Sequence, residues 1–431
     1  MYVWILRKRR EAGVTPSSGR RLPGIEGLRA LAACSVLFYH AWAVSSPDGT
    51  RVQPWALAPM LPDLAFGVTL FFALSGFLLY RPFAAAVLRG RRSPSTRVYF
   101  RNRALRILPA YWVILIASGL MLQTVLVRSG DALNTGAMSD GELLLRTATF
   151  TQNLTPSTVG SGIGPAWSLA IEAVFYLVLP LLGLLAARLA LRTATRRGLR
   201  AAAFAPAALM LLLGLSGKLV AAAAISGPYG EWGNTWHTVV ELSFWAQADL
   251  FAFGMAAAVL HVELEDGRLR LPRGWQLGAS GAALGGYLVV AKSTSVEEQL
   301  SSSPANTLMG LVCALVLALA VFAAPGAARP NAFLRFLELR FLVYVGVASY
   351  SVFLWHGPLV RWLRAHDLTF AGGWGLVANS LVLLGVTLVL STLTYRLVEA
   401  PALRLKTPRR EPEPAQEPEP IGVVSQVPAA P

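Results

Sequence analysis

Runs of about 20 apolar residues recur along the chain, separated by short stretches that carry arginine, glycine or proline. A helix of that length crosses about 30 Å of hydrocarbon. Windows of about 19 residues predict ten such helices, near 27–45, 64–83, 107–127, 166–187, 201–225, 238–260, 274–291, 305–324, 341–360 and 374–396. The expected fold class is therefore all-α, a polytopic membrane bundle of about ten transmembrane helices. The sixth and ninth windows are the least purely apolar, because of Asp249 and His356.

The basic residues alternate with these windows. The N-terminal stretch holds Arg7, Lys8, Arg9, Arg10, Arg20 and Arg21, and the second-to-third connection holds eight arginines from Arg81 to Arg106. Arginines also mark the fourth-to-fifth, sixth-to-seventh and eighth-to-ninth connections and the stretch after the last window. The intervening connections are poor in them, with one exception, the ninth-to-tenth, which carries Arg361 and Arg364. Lys and Arg accumulate on the cytoplasmic side, so both termini are expected in the cytoplasm and the protein in the cell membrane. MYVWIL followed by RKRR is the wrong order for a cleaved leader, which leaves the first span as the insertion signal. Three regions follow: a basic tail at 1–21, a transmembrane domain at 22–405, and a Pro- and Glu-rich tail at 406–431 that cannot bury a core.

Composition agrees with this reading. Only 14% of residues are charged and mean hydropathy is +0.52, against about a quarter charged in soluble domains. The net charge of +15 would suggest nucleic acid in a soluble chain. Here orientation accounts for it, and no nucleic-acid recognition motif accompanies it. Cys34 and Cys313 lie inside apolar runs, at no metal-ligand spacing, so neither a disulfide nor a metal site is expected.

Ionisable residues at membrane depth are costly and mark sites or pathways. In GLRALAACSVLFYH, Arg29 and His40 are eleven residues apart, hence on one helical face and about 16 Å apart along the axis. Arg29 reads either as a snorkelling anchor or as a ligand for an anion; His40 reads as a bonded interior histidine or as a base. Glu172, in AWSLAIEAVFYLVLPLL, falls at His40's level and is expected to orient it. Asp249 in FWAQADLFAFGM is deep, His356 in SYSVFLWHGPLV suits an interface, and Lys218 suits snorkelling. Arg103 and Arg106, three apart, form a possible phosphate clamp at the inner surface. Ser75 and Gly76 in FFALSGFLLY allow either close helix packing or close approach of a ligand. QNLTPSTVGSGIGPAW could line an acceptor entrance or be an ordinary loop.

Taken in order, IEGLRALAACSVLFYH, FGVTLFFALSGFLL, RALRILPAYW, GPAWSLAIEAVFYLVLPLL, DLFAFGMAAA, VGVASYSVFLWHGPL and TYRLVEAPALRL resemble the acyltransferase 3 family of integral membrane O-acyltransferases. The resemblance covers residues 22–405. It implies transfer from cytoplasmic acyl-CoA, as co-substrate and with no permanently bound cofactor, to a carbohydrate or other hydroxyl acceptor. It places Arg29 and His40 at the family's Arg-x10-His motif and Arg103 and Arg106 at its paired arginines. The chain departs from relatives in carrying AIEA where many have two consecutive acidic residues, and in having no hydrolase-like domain after the last span. The implied site is His40 and Glu172 as catalytic groups, Arg29, Arg103 and Arg106 on acyl-CoA, and Ser75, Asp249 and His356 in support. His40 serves as general base near its ordinary pKa of about 6.5, or as the nucleophile of an acyl-histidine intermediate. The alternatives are a small-molecule acceptor, an antibiotic or a lipid, and a proton-coupled transporter built on the same ionisables.

Overall fold

The computed structural model describes residues 22–45, 60–130, 132–224, 233–293, 304–322 and 331–407. The basic tail 1–21 and most of the Pro/Glu-rich tail lie outside the described residues. Fifteen α-helices are described: α1 (Ile25–Val44), α2 (Gly67–Leu88), α3 (Thr96–Ile116), α4 (Gly141–Ala148), α5 (Trp167–Ala190), α6 (Arg196–Ala224), α7 (Trp236–Glu241), α8 (Phe244–Glu265), α9 (Trp275–Ser293), α10 (Pro304–Val321), α11 (Ala332–Leu337), α12 (Arg340–Val347), α13 (Ser349–Ala365), α14 (Gly372–Thr394) and α15 (Ala400–Arg404).

All ten apolar windows fall on helix, wholly or in large part. Seven helical segments are long and apolar enough to cross a membrane: those of α1, α2, α3, α5, α6, α7–α8 and α14–α15. The ninth window is a broken helix, α12 and α13 meeting at 75°, and counts as an eighth span if the pair crosses together. The apolar helix in the eighth window, Ala305–Val321, is shorter. In α9, Gln276, Lys292 and several glycines dilute the apolar run. The membrane bundle is thus seen, but seven or eight spans rather than ten meet the criterion among the described residues.

The third window is displaced. α3 begins at Thr96, so the arginine-rich segment is itself helical, and it ends through a π-helical turn at Ala117–Met121. The chain then forms an antiparallel hairpin of β1 (Val125–Ser129) and β2 (Ala132–Gly136). VLVRS is a short β-branched-rich apolar run followed by Gly130, which is hairpin chemistry that an apolar window cannot distinguish from helix.

Two helices form the centre. In α2 and the α7–α8 segment, 72% of the apolar window is buried, against 28% in α14, whose leucines and valines face outward as a lipid-contacting surface would. α2 and α8 cross with backbones nearly touching. A Cβ on Gly76 would come within 2.2 Å of the Phe251 carbonyl oxygen, and one on Gly254 within 1.9 Å of the Ala73 carbonyl oxygen. Gly76 is therefore a packing residue, since small residues let membrane helices approach this closely.

Polar groups tie the outer helices to this centre. At one end, Arg89 binds Asp266 at 2.8 Å, Arg200 binds Glu263 at 2.6 Å, and Arg81 pairs with Glu265. These connect α2, α6 and the end of α8. Deeper in, Lys218 of α6 does not snorkel: its ammonium is 2.5 Å from Asp249 of α8 and donates to Thr307 of α10 at 2.7 Å. Both members are buried, so the pair neutralises charge that neither could carry alone in a bundle interior.

Candidate active site

α1 and α13 run in the same direction and touch at two levels. Near the start of each, Arg29 Nε donates to Ser349 Oγ at 3.1 Å. Further along, the rings of His40 and His356 meet edge-on with centroids 4.9 Å apart. The Arg-x10-His spacing therefore lies along one helix–helix seam.

At the Arg29 level the helices enclose a cavity of about 390 Å³. Its wall takes Arg29 from α1, Phe71 and Ser75 from α2, Arg103 and Arg106 from α3, Glu172 and Tyr176 from α5, Ser349, Tyr350 and Phe353 from α13, and Lys406 after α15. Five of the eight residues expected at the site thus share one cavity. Lys406, assigned by the sequence to the tail, also belongs there. Arg101 donates to the Leu405 carbonyl at 3.0 Å and Asn102 Nδ2 to that of Thr407 at 3.4 Å, folding the chain's end onto α3.

The cations are held apart by aromatic faces and one carboxylate. Arg103 lies over the Tyr176 ring at 5.9 Å and Arg106 over Tyr350 at 5.8 Å, each within cation–π range. Arg106 is also ion-paired with Glu399 at 2.8 Å, and the same carboxylate accepts from Ser351 Oγ at 2.5 Å. Arg106 is therefore not a free member of a two-arginine clamp. Glu399 occupies the last position of a π-helical turn, Tyr395–Glu399, that extends α14. No sequence expectation named it. Its one signal was an acidic residue at the end of the apolar run TYRLVEAP. Positive charge still exceeds negative here. Burial, together with Arg103, Arg106 and Arg29, holds the Lys406 ammonium down at about 7.

The histidine level differs from expectation. Glu172 accepts from Ser75 Oγ and forms no hydrogen bond with His40 among the described residues. His40 Nδ1 donates to the Val36 carbonyl at 2.9 Å, one helical turn back. A backbone carbonyl thus fixes the tautomer that the carboxylate was expected to fix, and Nε2 is left with its lone pair. His356, expected at an interface, is fully buried against His40, with neither ring nitrogen hydrogen-bonded among the described residues. His40 is not on the cavity wall. Phe353, on that wall, reaches towards the histidine pair, its ring 5.6 Å from His356 and 5.4 Å from that of Phe71, which also lines the cavity. Asp249 is not brought to the site at all, being committed to Lys218 and Thr307. No group of three or more His, Cys, Asp or Glu that could hold a metal exists among the described residues.

The segment ahead of α5 is built rather than slack. Asn153 Nδ2 donates to the carbonyls of Trp167 and Leu242, at 3.0 and 3.1 Å, and Leu126 bridges to Gly162. It reaches α13, where a Cβ on Gly357 would lie 2.6 Å from Pro165.

Comparison with known proteins gives this chain a family and a class of chemistry. The profile described as an acyltransferase domain matches residues 22–396. The chain belongs to the acyltransferase 3 family. Its relatives include acyltransferase MdmB of Streptomyces mycarofaciens, 27% identical over 90% of this chain and 94% of that protein. Nodulation protein 10 of Rhizobium leguminosarum bv. viciae is 27% identical over 91% and 95% of the two chains. The putative peptidoglycan O-acetyltransferase YrhL of Bacillus subtilis (strain 168) is 26% identical over 89% of this chain and 55% of its own. No solved structure matches the chain. The protein is a multi-pass membrane acyltransferase of the O-acyl-transferring kind.

Proposed function

We propose that this acyltransferase takes an acyl group, acetyl in the first instance, from acyl-CoA at the cytoplasmic face of the cell membrane and passes it to a hydroxyl of an exported acceptor. A cell-envelope glycan suits the last role, as the name of the Bacillus relative suggests. The observation that carries the donor assignment is the cavity with Arg29, Arg103, Arg106 and Lys406 on its wall and Glu399 engaged by only one of them. Excess cationic donors in a partly desolvated pocket suit the phosphates of coenzyme A. The apolar wall of Phe71 and Phe353 suits the acyl-bearing end.

The reaction assigned to His40 is general-base transfer. With Nδ1 bound to Val36, Nε2 accepts the proton of the acceptor hydroxyl as its oxygen attacks the thioester carbonyl. The tetrahedral adduct expels the thiolate, which takes the proton back from the imidazolium as coenzyme A leaves. His356 supports the His40 ring by direct contact. For the donor to meet His40, the Phe71–Phe353 contact must open.

Equilibrium binding of acetyl-CoA to the purified protein tests the donor, and a transporter has no reason to recognise it. His40→Ala is expected to retain expression and acetyl-CoA binding while losing transfer; normal transfer would overturn the role of His40. An acetylated enzyme trapped without acceptor would replace the general-base step by an acyl-histidine. Mass spectrometry of glycans and lipids from a deletion strain, looking for a lost ester, identifies the acceptor.

A further inference from the structure

Arg361 is the exception to the charge alternation, a basic residue on the connection expected to be poor in them. The fold gives it a specific place. It lies on α13, twelve residues beyond Ser349, hence about 18 Å along the helix from the Arg29 contact. It stands past the histidine pair, away from the donor cavity, within electrostatic reach of both His40 and His356. Its Nε donates to the Thr124 carbonyl at 2.7 Å, which is its sole hydrogen bond among the described residues. Nη2 is buried and unpartnered, and no carboxylate pairs with this guanidinium among the described residues.

Two glycines, rather than residues with side chains, flank the fork. Gly164 faces Nη1, where a Cβ would lie 2.8 Å away, and Gly357 faces Nη2, where one would lie 3.5 Å away. A guanidinium held by one backbone bond, with its remaining donors unused in a partly desolvated position, is costly unless an anion completes it. Several other cations of the bundle have carboxylate partners instead: Lys218 has Asp249, Arg106 has Glu399, and Arg89 has Asp266.

We propose that Arg361 is an acceptor-side anion subsite, binding a carboxylate or phosphate of the acyl acceptor and so setting that acceptor's hydroxyl beside His40. The assignment rests on the acyltransferase reading above and adds a substrate class to it, an acceptor that carries a negative charge near the acylated hydroxyl. Planar bidentate recognition of such groups is what arginine offers and lysine does not. The loop bearing Gly164 forms the other wall of this subsite.

The test uses full-length protein in detergent, with coenzyme A present to fill the donor cavity. Thermal stabilisation by N-acetylmuramate is compared with that by N-acetylglucosamine, and by glycerol 3-phosphate with that by glycerol. Wild type is expected to be stabilised more by the charged member of each pair, Arg361→Gln by neither preferentially, and Arg361→Lys to an intermediate extent. In transfer assays with the same compounds, Arg361→Gln is expected to raise KM for a charged acceptor about tenfold or more, the loss of one charge-assisted contact, with a smaller change for its neutral partner. No preference in wild type, a preference retained in Arg361→Gln, or equal losses with charged and neutral acceptors would each overturn the subsite. Failure of the donor reading shows separately, as absence of coenzyme A binding in the wild type.

Discussion

Replacing Glu399 by Gln removes one negative charge and almost no volume. The carboxylate is 1% exposed and the Arg106 side chain 16%, so solvent screens the pair little. Gln keeps an oxygen for Ser351 and loses the ionic partner of Arg106, leaving that guanidinium beside Arg29, Arg103 and Lys406 with no compensating charge from α14. Removing one member of a buried pair costs about 3–5 kcal/mol, and the neighbouring cations put the cost at or above the middle of that range. The same change should help an anionic ligand. Repulsion between Glu399 and bound phosphate disappears and Arg106 gains freedom to donate, which a charge-assisted hydrogen bond of about 1.5–3 kcal/mol converts to roughly tenfold or tighter binding. The assay is thermal unfolding followed by tryptophan fluorescence, with and without coenzyme A, alongside direct titration. The expected result is a much less stable free protein whose stability coenzyme A restores more fully than it raises that of the wild type. A Glu399→Gln protein as stable as its parent, with unchanged affinity, would refute both the energetic role of the pair and the assignment of the cavity.

Lys406 predicts a pH dependence. In the free protein its ammonium loses its proton above about 7; a bound phosphate favours the charged form, so binding above that pH takes up a proton. Coenzyme A affinity should weaken between pH 7.5 and 9, by up to about tenfold per unit for one coupled proton, and Lys406→Met should flatten that slope; isothermal titration in two buffers of different ionisation enthalpy measures the uptake. Lys218→Met should destabilise by about 3–5 kcal/mol because Asp249 is left buried without its cation, and adding Asp249→Leu should recover most of the loss. Equal stability of parent and single variant in denaturant titration would show the pair to be neutral in the fold. Gly254→Val should prevent assembly of the α2–α8 crossing, seen as loss of the monodisperse peak on size exclusion; normal folding would mean the two backbones can separate cheaply.

The sequence disclosed the helices because apolar runs and arginine spacing report directly on the bilayer. It misplaced the third one because α3 includes RVYFRNRALR, whose arginines a hydropathy window rejects, and because VLVRS looks equally apolar in strand and helix. Among the candidate residues, His40 and Glu172 were legible as polar residues at unusual depth, Arg29 by its spacing from His40, and Arg103 and Arg106 as an arginine pair at the inner surface. Their partners were not. That Glu172 meets Ser75, His40 meets Val36 and His356, and Arg106 meets Glu399 are facts of helix rotation and crossing, which one sequence does not encode in any local pattern. Lys406 was hidden for a different reason, lying at the edge of a tail whose composition belongs to disorder. Arg361 was visible all along as a charge on the wrong side, and only the neighbouring Gly164, Gly357 and Thr124 gave that anomaly a meaning.

The contact between Phe71 and Phe353 has a consequence for the cell as well as for the reaction. A basin of cations sits behind it and titratable rings lie ahead of it, so without a partition the bundle would offer ions and protons a wetted route through an energised membrane. Two phenyl groups meeting edge to face make a dry bulkhead, since a hydrophobic constriction repels ions by dewetting. With acyl-CoA as the proposed donor, the same bulkhead would act as a sieve: a slender thioester arm would slip past ring edges that a hydrated nucleotide could not, and the chemistry would proceed across the partition without discharging the gradient on either side.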